Sequence, residues 1–104
     1  MKEIFSSERR MNERLPIESL VTISDGQRFY VESLTDISMG GVGVETLQEF
    51  LSGSRVTMFF PSSSRVKIGG MVRWARKKGR MHRMGLQFTD MTPEQENSIY
   101  ELIH

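Results

Sequence analysis

The chain has 104 residues, of which 38% are hydrophobic and 26% charged, with no cysteine and a formal net charge of +1. That length suits one domain with a modest core and leaves no room for a second module. The apolar content argues against wholesale disorder; disulfides and thiolate metal sites are excluded, and no apolar run approaches the ~20 residues of a membrane-spanning helix.

Residues 1–16 show neither a two-residue nor a helical apolar period and are rich in Arg, Glu, Ser and Asn, so they are expected to form a mobile arginine-rich arm. From residue 17 onward the apolar pattern becomes regular. Val21 and Ile23 alternate with Thr22 and Ser24; Asp25-Gly26 supplies a hairpin turn, and Phe29 and Val31 continue the alternation on the return strand. That strand runs into Thr35-Asp36-Ile37-Ser38, where a bend is expected, and Val42 and Val44 leave it on a third strand. Leu47, Phe50 and Leu51 have helical spacing and are ended by Gly53, which predicts about one helical turn plugging a barrel end.

Val56, Met58 and Phe60 form the next strand, stopped by Pro61 and three serines. Val66, Ile68, Val72 and Trp74 fall on one face of a long strand, with a bulge or sharp coil expected at Gly69-Gly70. After the Lys78-Gly79 turn, Met84, Leu86 and Phe88 alternate with Arg83, Gly85 and Gln87. Six such strands hide their edges best by closing into a small antiparallel β-barrel. The chain then changes period. Thr92-Pro93-Glu94-Gln95 is a capping box with proline at the first helical position, and Ile99, Leu102 and Ile103 line one stripe of a C-terminal α-helix over the barrel.

Charge is unevenly spread. No Asp or Glu lies between Arg55 and Thr89, a stretch that holds nine of the fourteen basic residues. This makes a cationic surface that draws an anionic partner to one side, or serves simply as a solvated face. Two short pieces carry more specific chemistry. Arg9, Arg10 and Arg14 gather three guanidiniums, and Asp36, Ser38, Gly40 and Gly41 set a carboxylate, a hydroxyl and two glycines around one bend. Taken alone, the second piece is also an ordinary Asx-turn, and the first a solvated tail pairing with Glu8 and Glu13.

Their order and spacing resemble the PilZ family, whose signature is Arg-x-x-x-Arg followed by Asp/Asn-x-Ser-x-x-Gly. Arg10 and Arg14 match the first element; Asp36, Ser38 and Gly41 match the second. Gly70-Met71-Val72-Arg73-Trp74, Gly85-Leu86-Gln87-Phe88 and the closing helix extend the likeness over nearly the whole chain. The resemblance implies a PilZ-type barrel over residues 17–104, a bacterial source, and cyclic di-GMP as ligand with no other cofactor.

Arginine forks suit both the phosphates and guanine O6 and N7, while a carboxylate accepts from guanine N1–H and N2–H. The resemblance accordingly implies Arg9, Arg10, Arg14, Asp36, Ser38, Gly40 and Gly41 as ligand-binding residues. Trp74 has two readings: its phase with Val66, Ile68 and Val72 makes it core, whereas some family members stack a tryptophan of this strand on guanine.

No catalytic constellation is evident, since His82 and His104 lack a nearby nucleophile, carboxylate pair or metal-ligand spacing; neither an enzyme nor a metal site is expected. The expected role is a cytoplasmic receptor and adaptor in which the arm closes over the nucleotide and alters the surface offered to an unidentified downstream protein, with no membrane insertion. Two rivals differ in class. One is a PilZ-like interaction module that binds no nucleotide. The other, weaker for want of stacking aromatics, is a basic barrel for single-stranded nucleic acid.

Overall fold

The computed structural model describes residues 13–61 and 66–104. Strands β1 (Leu15–Ser24), β2 (Phe29–Ile37), β3 (Gly41–Thr46), β4 (Arg55–Phe59), β5 (Lys67–Lys78) and β6 (Met81–Thr89) precede helix α1 (Pro93–Ile103). The six strands close into an antiparallel barrel in the order β1-β2-β3-β6-β5-β4, as the alternation predicts. Closure pairs every strand and buries one face of each: Val21, Ile23, Val42, Val44, Met58, Ile68, Val72, Met84 and Leu86 are all sealed inside. Ile99 of α1 is fully buried and belongs to the same hydrophobic core cluster as the strands. Thr92 and Gln95 form the reciprocal capping box, and the Gln95 side-chain amide also donates to the Lys67 carbonyl, tying the start of the helix to β5.

Four local expectations are corrected. The first hairpin turns through Asp25–Arg28, because Ser24 pairs with Phe29. Asp25 Oδ1 accepts the backbone N–H groups of Gln27 and Arg28 at 2.9 and 2.8 Å, which holds its carboxyl below the usual range, and only Gly26 takes a positive φ. The resulting register sets Tyr30 and Glu32 opposite Ile23 and Val21, so Phe29 and Val31 lie on the outer face, 68% and 64% exposed.

Residues 47–52 form no helical turn. The Thr46 hydroxyl accepts the Gln48 N–H and diverts the chain, so that only Phe50 plugs the barrel, edge-on to Tyr30, while Leu47 and Leu51 stay exposed. The bulge of β5 lies at Arg73, not at Gly69-Gly70: pairing with β6 runs unbroken from Gly69 to Val72 and shifts between Val72 and Trp74. One extra residue there turns the following side chain outward. Trp74 is 42% exposed although Val72 is sealed.

Thr46 also donates to the half-buried Glu32 carboxylate. Burial raises the pKa of Glu32, and the Thr46 hydrogen bond opposes that rise only in part. Between the ordinary value of 4.5 and the raised one, the folded chain binds the proton more tightly than the unfolded chain, so stability is full below this window and falls as pH rises through it. Glu32→Gln keeps an acceptor for Thr46 and removes the charge; thermal melts across the window should show a flatter pH dependence. An equal fall in the variant would place that dependence on other groups.

Candidate functional site

The bend between β2 and β3 is built by its own polar groups. Ser38 N–H donates to the Gly41 carbonyl at 2.9 Å, the Ser38 hydroxyl accepts Gly40 N–H at 3.2 Å and donates to the Gly41 carbonyl at 3.4 Å, and the Gly40 carbonyl accepts Phe88 N–H at 2.9 Å. Ser38 is thus buried and spent on the turn. The two glycines differ in role. A Cβ on Gly41 would stand 2.1 Å from the Leu86 carbonyl oxygen, so a bare Cα is required for β3 to reach β6; a Cβ on Gly40 would meet nothing closer than 3.9 Å.

Asp36 is aimed by an irregularity of β2, whose register against β3 shifts between Leu34 and Asp36. Its carboxylate accepts the Thr35 hydroxyl at 3.0 Å and the Arg14 guanidinium at 2.5 Å. It therefore bonds to side chains and not to its own backbone as an Asx-turn would. The ion pair joins residues 22 apart in sequence, with Arg14 half-exposed and Asp36 largely covered. Arg14 precedes β1, where Pro16 already pairs with Asp36. Arg9 and Arg10 lie outside the described residues.

One lateral row crosses the outer face of four strands: Asp36 pairs with Gly43, Gly43 with Gly85, and Gly85 with Trp74. The two glycines make a floor. A Cβ on Gly43 would fall 2.2 Å from Asp36 Oδ2, and one on Gly85 would fall 2.3 Å from Trp74 Nε1. Their missing side chains are the space into which the carboxylate leans from one side and the indole from the other. Three interstrand steps of ~4.8 Å separate the Asp36 and Trp74 backbones by about 14 Å, and the two side chains lean toward each other over the glycines between them.

A cavity of about 350 Å³ lies on this face, lined by Arg14, Ser38, Gly40, Arg73, Trp74, Gly85, Leu86 and Gln87. Arg14 faces it in front of Asp36, and the Arg76 guanidinium sits 5.3 Å over the Trp74 ring. The structure therefore gathers Arg14, Asp36, Ser38, Gly40 and Trp74 on one face, leaves Gly41 packed beneath it, and adds Arg73, Gln87, Gly43 and Gly85. Alternation assigns Gly43, Gly85 and Gln87 to the outer face of their strands, but nothing in the sequence sets them beside one another. Among the described residues, no group of three or more His, Asp or Glu could hold a metal ion, and no helix is long and apolar enough to cross a membrane.

The sequence matches the model of the PilZ domain over residues 8–104. The chain belongs to the PilZ family. Solved PilZ structures share its fold at low identity. The PilZ domain of CeSA from a cellulose-synthesizing bacterium superposes with a TM-score of 0.69 at 20% identity, covering 88% of this chain and 95% of that one. The PilZ domain of Escherichia coli YcgR, solved with c-di-GMP, gives 0.68 at 15% identity and covers 88% of each. The Bacillus subtilis inhibitor of motility MotI/DgrA gives 0.71 at 17% identity over 86% of this chain, which spans only 46% of that protein. No curated protein sequence matches this PilZ chain.

Proposed function

We propose that this PilZ domain is a bacterial cyclic di-GMP receptor and adaptor, acting by binding and not by catalysis. The observation that carries this reading is the row from Asp36 across the Gly43–Gly85 floor to Trp74, with Arg14 over the carboxylate. With no side chain on Gly43 or Gly85, the carboxylate and the half-exposed indole lie low against the sheet and present themselves to a planar base. Trp74 offers an aromatic face for stacking, worth ~1–3 kcal/mol per base, Asp36 offers the acceptor for guanine N1–H and N2–H, and Arg14 and Arg73 offer forks for phosphate or for guanine O6 and N7. The c-di-GMP held by the PilZ domain of YcgR is consistent with that chemistry.

In the bound state Arg9 and Arg10 join Arg14 over the nucleotide, closing the chain upstream of β1 against the Asp36-to-Gly41 bend. That closure changes the surface offered to a downstream protein in the cytoplasm. Arginine suits this clamp because its planar fork pairs with both the phosphates and the guanine edge. The rival reading, an interaction module that binds no nucleotide, draws on the Arg14–Asp36 pair, which already satisfies the carboxylate.

Calorimetric titration with cyclic di-GMP separates the two. Saturable binding with defined stoichiometry is expected, accompanied by a change in the fluorescence of Trp74, the single tryptophan of the chain. Absence of heat and of any spectral change would remove cyclic di-GMP as the ligand and favour the interaction module.

A further inference from the structure

β5 is longer than its partner β4. Pairing between them ends at Arg55 and Met71; beyond it Gly53 N–H donates to the Val72 carbonyl, Val72 N–H donates to the Ser54 carbonyl, and the Ser52 hydroxyl donates to the Arg73 carbonyl. From Trp74 to Lys78 the described residues place a neighbour on one side alone, β6. The turn through Gly79, φ +63°, joins Lys78 to Met81 and makes them a hydrogen-bonded pair. Alternation then turns the backbone N–H and C=O of Ala75 and Lys77 away from β6. They face a cavity of about 450 Å³ between this edge and the 49–52 loop, walled by Phe50, Leu51, Ala75, Arg76, Lys77 and His82, with Glu49 as its single carboxylate.

We propose that this edge is a docking site for an extended acidic segment of a partner protein, which adds as a strand beside Ala75–Lys77. Outward amides and carbonyls supply the ladder, Phe50 and the exposed Leu51 supply apolar contact for alternate side chains, and Arg76, Lys77, Lys78 and Arg80 supply the complementary charge. The same basic residues repel a second copy of this edge, so charge selects an acidic strand over self-pairing. A nucleic acid fits less well, because it has no peptide backbone to continue a ladder. The proposal holds whether or not the chain binds cyclic di-GMP.

The test titrates the ¹⁵N-labelled chain at low salt with an acetylated octapeptide of alternating Glu and Val. The Ala75 and Lys77 amides should shift, and their hydrogen exchange should slow by at least about tenfold. Lys77→Glu, on an exposed side chain, should weaken binding by roughly tenfold, and a peptide alternating Lys and Val should not bind. No shift at millimolar peptide, unchanged exchange at Ala75 and Lys77, or equal binding of the Lys–Val peptide would overturn the site. A thymidine oligonucleotide that binds more tightly than the Glu–Val peptide would assign the surface to nucleic acid instead.

Discussion

A chain carrying Arg14→Ala is expected to bind cyclic di-GMP at least tenfold more weakly while keeping its fold. Among the described residues, the Arg14 guanidinium is the one arginine fork that stands at both the cavity and the Asp36 carboxylate. Loss of one charged hydrogen-bonding partner costs ~1.5–3 kcal/mol, and ~1.4 kcal/mol is a factor of ten. Stability should change far less, because the Arg14 side chain is 50% exposed and an ion pair of that kind contributes ~0–1 kcal/mol after solvent screening.

Calorimetry beside a thermal melt reads both quantities. Arg14→Lys adds a second arm: it restores the charge without the planar fork, so recovery should be partial. Unchanged affinity in a folded Arg14→Ala chain would remove Arg14 from the site, and full recovery by lysine would reduce its part to charge alone.

The second large effect is on stability, and it separates two adjacent glycines. Gly41→Ala brings a methyl to 2.1 Å from a backbone oxygen of Leu86, at the start of the β3–β6 ladder, where no flexible side chain can yield. Either the strands part or the bend opens. Overpacking of this kind costs ~1–3 kcal/mol and sometimes more; at about 3 kcal/mol the melting temperature of a domain this size falls by ~12–24 °C.

Gly40→Ala is the matched control. Its Cβ would have nothing nearer than the Ser38 hydroxyl at 3.9 Å, and its φ is not positive, so stability should stay within ~0.5 kcal/mol. Equal melting temperatures for the two variants would contradict the close approach of β3 to β6. The cyclic di-GMP affinity of Gly40→Ala then tests separately whether a ligand passes close to that exposed position.

Much of this architecture was legible in the chain. Alternating apolar residues marked all six strands, and the reciprocal Thr92 and Gln95 contacts appeared where the capping pattern predicts them. Periodicity failed where an insertion or a loop contact broke it. One extra residue at Arg73 moved Trp74 from the core phase of β5 to the outer face, and the four-residue turn at Asp25–Arg28 set Phe29 and Val31 outside. A strand has only two faces, so a single unpaired residue reverses every assignment beyond it. At Leu47–Leu51 the helical spacing was real, but the Thr46 hydroxyl engaged the Gln48 N–H and left a slot for Phe50 only.

Two-residue alternation, helix capping and motif order are local properties of a chain, so the barrel, its lid and the PilZ signature could be read from residue order alone. Which of those residues meet depends on the folded barrel. Gly43 and Gly85 are 42 positions apart and become one floor through register, and Arg14 reaches Asp36 across a hairpin. Sheet closure, not spacing along the chain, sets such contacts: lateral neighbours in a barrel are fixed by the hydrogen-bond register of every strand between them.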